Sequence, residues 1–260
     1  MSRVLITGGG GFLGRNLIDF LLRKTGHEIV SINRTKDSPS TEPRDRVRVV
    51  YHDLREAIDK KTSFEIGEVD YIIHLAAATC TKKSFVDPGN FIMDNVIGTT
   101  NLLEYVRRHV RGLKSLFYLS SAEIYGQSSS KTIFSEGDMS NPSSLYAVTK
   151  ICAQELCISY KNSFKIPVII GYATNSFGPY QSPEKFIPSM IEKIMKGEKV
   201  SIHLNSAGAS LSRRNYLHIN DLCDAIMFLV NCGTPGEKYN ITAKEESDNL
   251  KLAQMISKLL

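Results

Sequence analysis

No uninterrupted apolar run in this 260-residue chain approaches the roughly 20 residues that a membrane-spanning helix needs, so nothing in it asks for a membrane. Nor is there a long basic block. The 32 basic and 27 acidic residues leave a formal charge of +5 spread along the chain, which favours anionic ligands weakly and does not argue for nucleic acid. Cysteine is sparse: Cys80, Cys152, Cys157, Cys223 and Cys232 are odd in number and contain no Cys-x-x-Cys pair. That excludes an obvious disulfide framework, implies no metal, and fits a reduced, cytoplasmic setting. A leader pattern is missing too, since the first residues run directly into strand-like sequence. Internal repeats and low-complexity tracts are absent apart from the serines at 128–130.

What is present begins with a strand, a turn and a helix. Residues 3–7 (RVLIT) are β-branched and run into Gly8, Gly9, Gly10 and Gly11, then Phe12, Leu13 and Gly14, before the amphipathic stretch 16–22. In that order the glycines let the backbone approach a phosphate closely, and the helix start offers unpaired N–H groups and a positive dipole. This is the context that a dinucleotide site requires.

Further strands alternate with helices, which implies a parallel, doubly wound α/β sheet. The strand at 27–32 ends at Asn33 and Arg34. An acid there would accept from the adenosine ribose hydroxyls and repel a 2′-phosphate; Asn33 does not repel it and Arg34 can pair with it, which leans toward NADP while leaving NAD open. After a polar loop at 38–45, the strand at 47–51 is followed by Asp53, placed to meet adenine or to cap the next turn, and by Leu54. The buried run at 69–78 ends in Leu75, Ala76, Ala77 and Ala78, small enough to leave room for a cofactor. A long helical pattern at 87–106 carries Asn95, and residues 113–119 form a fifth strand with Ser120, Ser121 and Glu123 at its carboxyl end. Ligands of open α/β sheets bind outside those ends.

Tyr146 and Lys150 are four apart and share a face if helical. A phenol ionises near pH ~10, and a nearby ammonium lowers that value, so Tyr146 can serve as a base. A strand at 167–172 completes this portion. Residues 1–174 thus read as a Rossmann-like NAD(P)-binding domain, with 214–230 packing back onto it. Residues 175–260 read as a less regular substrate lobe, with a helix at 187–195, strands at 200–204 and 238–241, a segment at 216–219 and a helix at 221–230.

TGGGGFLG (7–14), HLAA (74–77), SSAEIYG (120–126), YAVTK (146–150), NSFGPY (175–180), PEKFIP (183–188) and RNYLHINDLCDA (214–225) together resemble the extended short-chain dehydrogenase/reductase family, in its nucleotide-sugar epimerase/dehydratase branch. The resemblance covers nearly the whole chain. It implies a tightly held nicotinamide cofactor, Tyr146 as base, Lys150 on the nicotinamide ribose and Ser121 on the reacting hydroxyl. It also implies Asn175, Lys185 and Arg214 on a nucleotide diphosphate sugar, and a homodimer through the helices at 87–106 and 144–160.

Oxidation of the sugar 4-hydroxyl gives a ketone that acidifies the neighbouring C–H. Epimerisation, dehydration and decarboxylation all remain open from there. Glu123 resembles a glutamate of the family's 4,6-dehydratases and decarboxylases, whereas Ala122 stands where some dehydratases carry an acidic aspartate and cannot protonate anything. Tyr172 replaces a common arginine, Asn215 a common aspartate, and the chain stops where relatives continue, which implies a truncated form or an open pocket. Two other functions stay in view: an NADPH-dependent keto-sugar reductase, and an inactive cofactor-binding regulator.

Overall fold

The computed structural model describes residues 2–36, 44–126, 132–202 and 213–260. In chain order it runs β1 (Arg3–Thr7), α1 (Phe12–Lys24), β2 (Glu28–Asn33), β3 (Val47–Tyr51), α2 (Lys60–Ile66), β4 (Tyr71–His74), α3 (Thr81–Val86), α4 (Pro88–Ile92) and α5 (Gly98–His109). Then come β5 (Ser115–Ser121), α6 (Leu145–Phe164), β6 (Val168–Ala173), β7 (Asn175–Phe177), α7 (Phe186–Met195), β8 (Arg213–His218), α8 (Ile219–Cys232), β9 (Lys238–Ile241), β10 (Glu246–Asp248) and α9 (Asn249–Leu259).

Seven strands form one parallel sheet in the order β3-β2-β1-β4-β5-β6-β9. Parallel sheets are covered on both faces, and the strands show it residue by residue. Leu5, Ile72, Leu116, Tyr118, Val168 and Ile170 point into a core shared with α5 and α6. Their neighbours Val4, Ile6, Ile73, Phe117 and Ile169 point into the opposite core, shared with α1 and α8. Each fully buried side chain of this kind contributes roughly 1.5–3 kcal/mol.

The second sheet is small, in the order β10-β8-β7, with β8 antiparallel to β10 and parallel to β7. Beside it, Met190 of α7 packs with Ala253 and Ile256 of α9. β9 comes from the stretch assigned to the substrate lobe but adds to the large sheet beside β6. The strand expected at 200–204 does not form over its described residues, which are extended loop up to 202. Val200 and Ile202 spend their apolar character packing against the α7–α9 cluster instead of joining a ladder. Residues 203 and 204, the serines at 128–130 and most of the polar loop at 38–45 lie outside the described residues.

The long helix expected at 87–106 is interrupted. α4 and α5 are joined by a π-helical turn, Met93–Ile97. Such turns insert a residue into the ladder, and here they mark Asn95. Its Oδ1 accepts from the Ala78 N–H at 2.7 Å, and its Nδ2 donates to the Ala78 carbonyl at 3.1 Å and to Thr149 Oγ1 at 2.8 Å. One buried side chain therefore fixes the segment after β4 to the first turns of α6.

Candidate active site

Serine, tyrosine and lysine meet where the end of β5 faces the start of α6. Ser144 opens α6 as its N-cap, accepting from the Ala147 N–H at 3.1 Å, and this sets the phase that turns Tyr146, Thr149 and Lys150 inward. Ser121, the last residue of β5, accepts from the Glu123 N–H at 3.2 Å and so caps the short 3-10 turn Ala122–Tyr125. Its side chain also lies beside the Tyr146 phenol, where it favours the ionised form. Of the two serines singled out in the sequence, Ser120 faces the other way, and its buried hydroxyl has no partner among the described residues.

Lys150 is 3% exposed, with its Nζ 4.4 Å from the centroid of the Tyr118 ring. Tyr118 also donates its hydroxyl to the Lys150 carbonyl at 3.4 Å, so ring face and hydroxyl grip the same residue. Beyond Tyr118 lies His74, bonded through both ring nitrogens to Thr7 and Thr99. Burial lowers the His74 pKa to about 3, and this ring is a neutral strut.

The expected electrostatics of Tyr146 need correction. Burial pushes its phenol up to about 12, against which the neighbouring Ser121 side chain pulls down and the Glu123 charge adds a further push upward. Burial also brings Lys150 down to about 7. The ammonium sits on the Tyr118 ring rather than stabilising the phenolate. Helical spacing gave the shared face correctly, but desolvation outweighs the charge of a partner that is itself desolvated.

The glycine turn is built for close approach of a dinucleotide. Gly8 has φ +73°, and a Cβ there would come within 2.9 Å of the Ala76 backbone; one on Gly14 would fall 2.3 Å from the Gly8 carbonyl oxygen. Gly11 caps α1 without any side-chain acceptor, which leaves the first-turn N–H groups of Phe12, Leu13 and Gly14 to face a phosphate. Asn33 at the end of β2 accepts from the Gly10 N–H at 2.9 Å, while its own buried Nδ2 has no partner among the described residues. Leu75 and Ala76 hang by their N–H groups from the Thr7 hydroxyl, both at 3.2 Å, and Ala77 follows. These residues fit a dinucleotide.

Other expected cofactor contacts have protein partners. Asp53 accepts from the backbone and Nε of Arg55 and caps its own turn. Leu54 lies in the core, with its carbonyl taken by Asn101. Asn95 is 1% exposed and bonded to Ala78 and Thr149, which gives it a positioning role. Arg34 donates to Asp94 at 3.1 Å.

On the substrate side, Asn175 lies exposed opposite Tyr216 across the β7–β8 pair, and Lys185 is the exposed N-cap of α7. Arg214, two residues before Tyr216, is exposed and donates to the Arg213 carbonyl at 2.8 Å. Glu123 accepts from the Thr81 hydroxyl at 3.1 Å, and Lys83 meets Glu184 at 3.3 Å, so α3 links the base candidate to the loop before α7. Tyr172 is a core residue edge-on to Tyr125, and Asn215 donates to the Ala243 carbonyl. A cavity of ≈ 620 Å³ beside Phe177, Tyr180 and Ile191 touches none of the serine, tyrosine or lysine groups. Tyr118, Thr81 and Asp94 were not marked by spacing or motif, because their partners come from remote segments.

A family model described as the NAD dependent epimerase/dehydratase family matches residues 4–242. The chain is 33% identical to the dTDP-glucose 4,6-dehydratase of Mycolicibacterium smegmatis over 99% of its own length and 77% of that protein's. It is 31% identical to the human dTDP-D-glucose 4,6-dehydratase, of which it covers 74%. Among solved structures, the dTDP-glucose 4,6-dehydratase of Bacillus anthracis in complex with NAD superposes with a TM-score of 0.85 at 28% identity, over 100% of this chain and 81% of that one.

The depressed Lys150 pKa predicts a pH signature. Between about 7 and 10.5 the unfolded chain holds a proton on this lysine that the folded protein lacks, so folding stability rises with pH across that window. In urea titrations of nucleotide-free protein from about pH 7 to about pH 10, the wild type should gain stability relative to Lys150→Met. Parallel curves for the two would contradict the burial argument.

Proposed function

The chain belongs to the NAD dependent epimerase/dehydratase family, and on that premise we propose that it dehydrates a nucleotide diphosphate sugar, with Glu123 working on the carbon beside the ketone. The general class is a nucleotide-sugar epimerase/dehydratase that is NAD(P)-dependent and acts through a 4-keto intermediate. The observation that carries the reading is the Ser121 side chain, which meets the Tyr146 phenol on one side and the Glu123 N–H on the other.

Gly8, Gly11, Phe12, Leu13 and Gly14 would hold the cofactor's diphosphate, Asn33 its adenosine end, and Lys150 its nicotinamide ribose. The cofactor, when bound, supplies a hydride acceptor and a positive charge beside the phenol. Ser121 orients the sugar 4-hydroxyl, and Tyr146 takes its proton; a phenol raised to about 12 needs that added charge to act at neutral pH. Once C4 is a ketone, Glu123 removes the C5 proton. Ala122 has no proton to give, so Glu123 passes the same proton to the departing 6-hydroxyl, and water leaves. One carboxyl acting first as base and then as acid balances the elimination without the aspartate, and the hydride accepted from C4 would return to C6 as C5 regains a proton, so that the net loss is one water.

We read the cofactor as NAD. The Bacillus anthracis relative binds NAD, and the Arg34 guanidinium that favoured NADP in the sequence is engaged by Asp94. That engagement also weakens the keto-sugar reductase alternative. Asn175, Lys185 and Arg214 would face the diphosphate and nucleoside, where a guanidinium pairs well with phosphate oxygens. A second copy of the chain would cover the exposed Ile92 and Met93 of the α4 region and Leu145 and Val148 of α6. Light scattering should then give twice the 29.0 kDa chain mass, and a monomer at micromolar concentration would remove this part of the reading.

For the reaction, a panel of UDP-, dTDP-, GDP- and CDP-sugars is incubated without added cofactor and followed by mass spectrometry. A product lighter by one water is expected, and Tyr146→Phe should retain dinucleotide affinity while turning over at least about a thousandfold more slowly. Turnover only when NADPH is supplied and consumed stoichiometrically, or full activity in the phenylalanine variant, would overturn the assignment.

A further inference from the structure

Three charged segments converge on the glycine-turn side of the sheet. Arg34 follows the end of β2, whose last residue, Asn33, accepts from the Gly10 N–H. Asp53 and Arg55 follow the end of the neighbouring strand β3. Asp94 comes from the π-helical turn on the far side and is 60 residues from Arg34 in sequence.

Among the described residues these four side chains pair with one another. Arg34 Nη1 donates to both Asp94 oxygens, at 3.1 and 3.3 Å. Arg55 lies 3.9 Å from Asp94 through Nε and donates to Asp53 at 2.9 Å. Two guanidinium groups facing two carboxylates sum to zero charge. The Asp94 side chain is only 20% exposed, against 55% for Arg34, so the acid is the better-anchored member. Its backbone is anchored as well, because the next residue is Asn95 with its three hydrogen bonds to Ala78 and Thr149.

We propose that Asp94 is the residue that selects NAD over a 2′-phosphorylated dinucleotide, by holding Arg34 and placing a carboxylate where the 2′-phosphate would need a cation. This rests on the NAD reading above. A 2′-phosphate approaching Arg34 must displace a carboxylate and accept its repulsion, and like charges brought together at a binding surface are strongly disfavoured. A free ribose 2′-hydroxyl is a donor and meets no such penalty. The discrimination normally expected from an acid at the end of β2 is delivered here from a helix, which leaves Asn33 free to tie down the glycine turn.

The test compares 2′,5′-ADP with 5′-AMP, which differ only in the 2′-phosphate, by isothermal titration calorimetry on protein stripped of nucleotide. In the wild type 5′-AMP should bind the tighter. Asp94→Asn should raise the 2′,5′-ADP to 5′-AMP affinity ratio about tenfold or more, and adding Arg34→Ala to it should return the ratio toward the wild-type value. If the wild type disfavours the 2′-phosphate but Asp94→Asn leaves the ratio unchanged, Asp94 is not the selector and the NAD reading stands. If the wild type already prefers 2′,5′-ADP, both fall together. Should Asp94→Asn fail to fold, Arg34→Ala alone decides: the ratio should hold, since Arg34 is already withheld, and a lower ratio overturns the proposal.

Discussion

The hydroxyl of Ser121 is the point on which the rest of the site depends. It ends the central strand β5, caps the turn that carries Glu123, and meets the phenol of Tyr146 at the start of α6. Strand and helix are thereby brought to one atom. Two further contacts keep α6 in the same phase within a single turn: Thr149 receives the Asn95 amide, and Lys150 rests on the Tyr118 ring. A helix held at residues 146 and 150 by β5 and at residue 149 by the π-helical turn has little freedom to rotate, and that is what positioning for proton transfer requires.

Burial is the other side of this arrangement. Putting a phenol and an ammonium into the core raises one pKa to about 12 and lowers the other to about 7, so both groups rest closer to neutral than their free counterparts. Neutral groups in a dry pocket respond strongly to an added charge, because the same low dielectric that disfavours ionisation amplifies each new interaction. The site is thus a framework whose acid–base character is completed by what binds in it. The neighbouring His74 contributes nothing ionic and holds Thr7 and Thr99 as a neutral ring.

Much of this was legible in the sequence where the signal is local. The glycine turn is a statement about backbone space, and the structure returns it as backbone atoms that a Cβ on Gly8 or Gly14 would meet within 3 Å. Buried parallel strands read as continuous apolar runs, and helical spacing placed Tyr146 and Lys150 together. What spacing could not carry is any property set by remote partners. Arg34 read as able to pair with a 2′-phosphate, and its Asp94 partner, 60 residues away, was out of reach of any local pattern. The phenol's shift was misjudged because desolvation belongs to the assembled core. Asn95 lay inside a correct helical pattern, yet its π turn and its three bonds follow from the tertiary position of Ala78 and Thr149. Val200 and Ile202 looked like a strand, and their alternation is used against the α7–α9 cluster.

The central claim is that Tyr146, Ser121 and Lys150 serve a transient oxidation at the sugar C4, and a nucleotide sugar deuterated at C4 tests it most directly. After turnover without added cofactor, the account predicts a product that retains the deuterium, at C6 if water has been lost or back at C4 if the ring has been epimerised. Product formed with the C4–D bond never broken, or with the label lost to solvent, would contradict it.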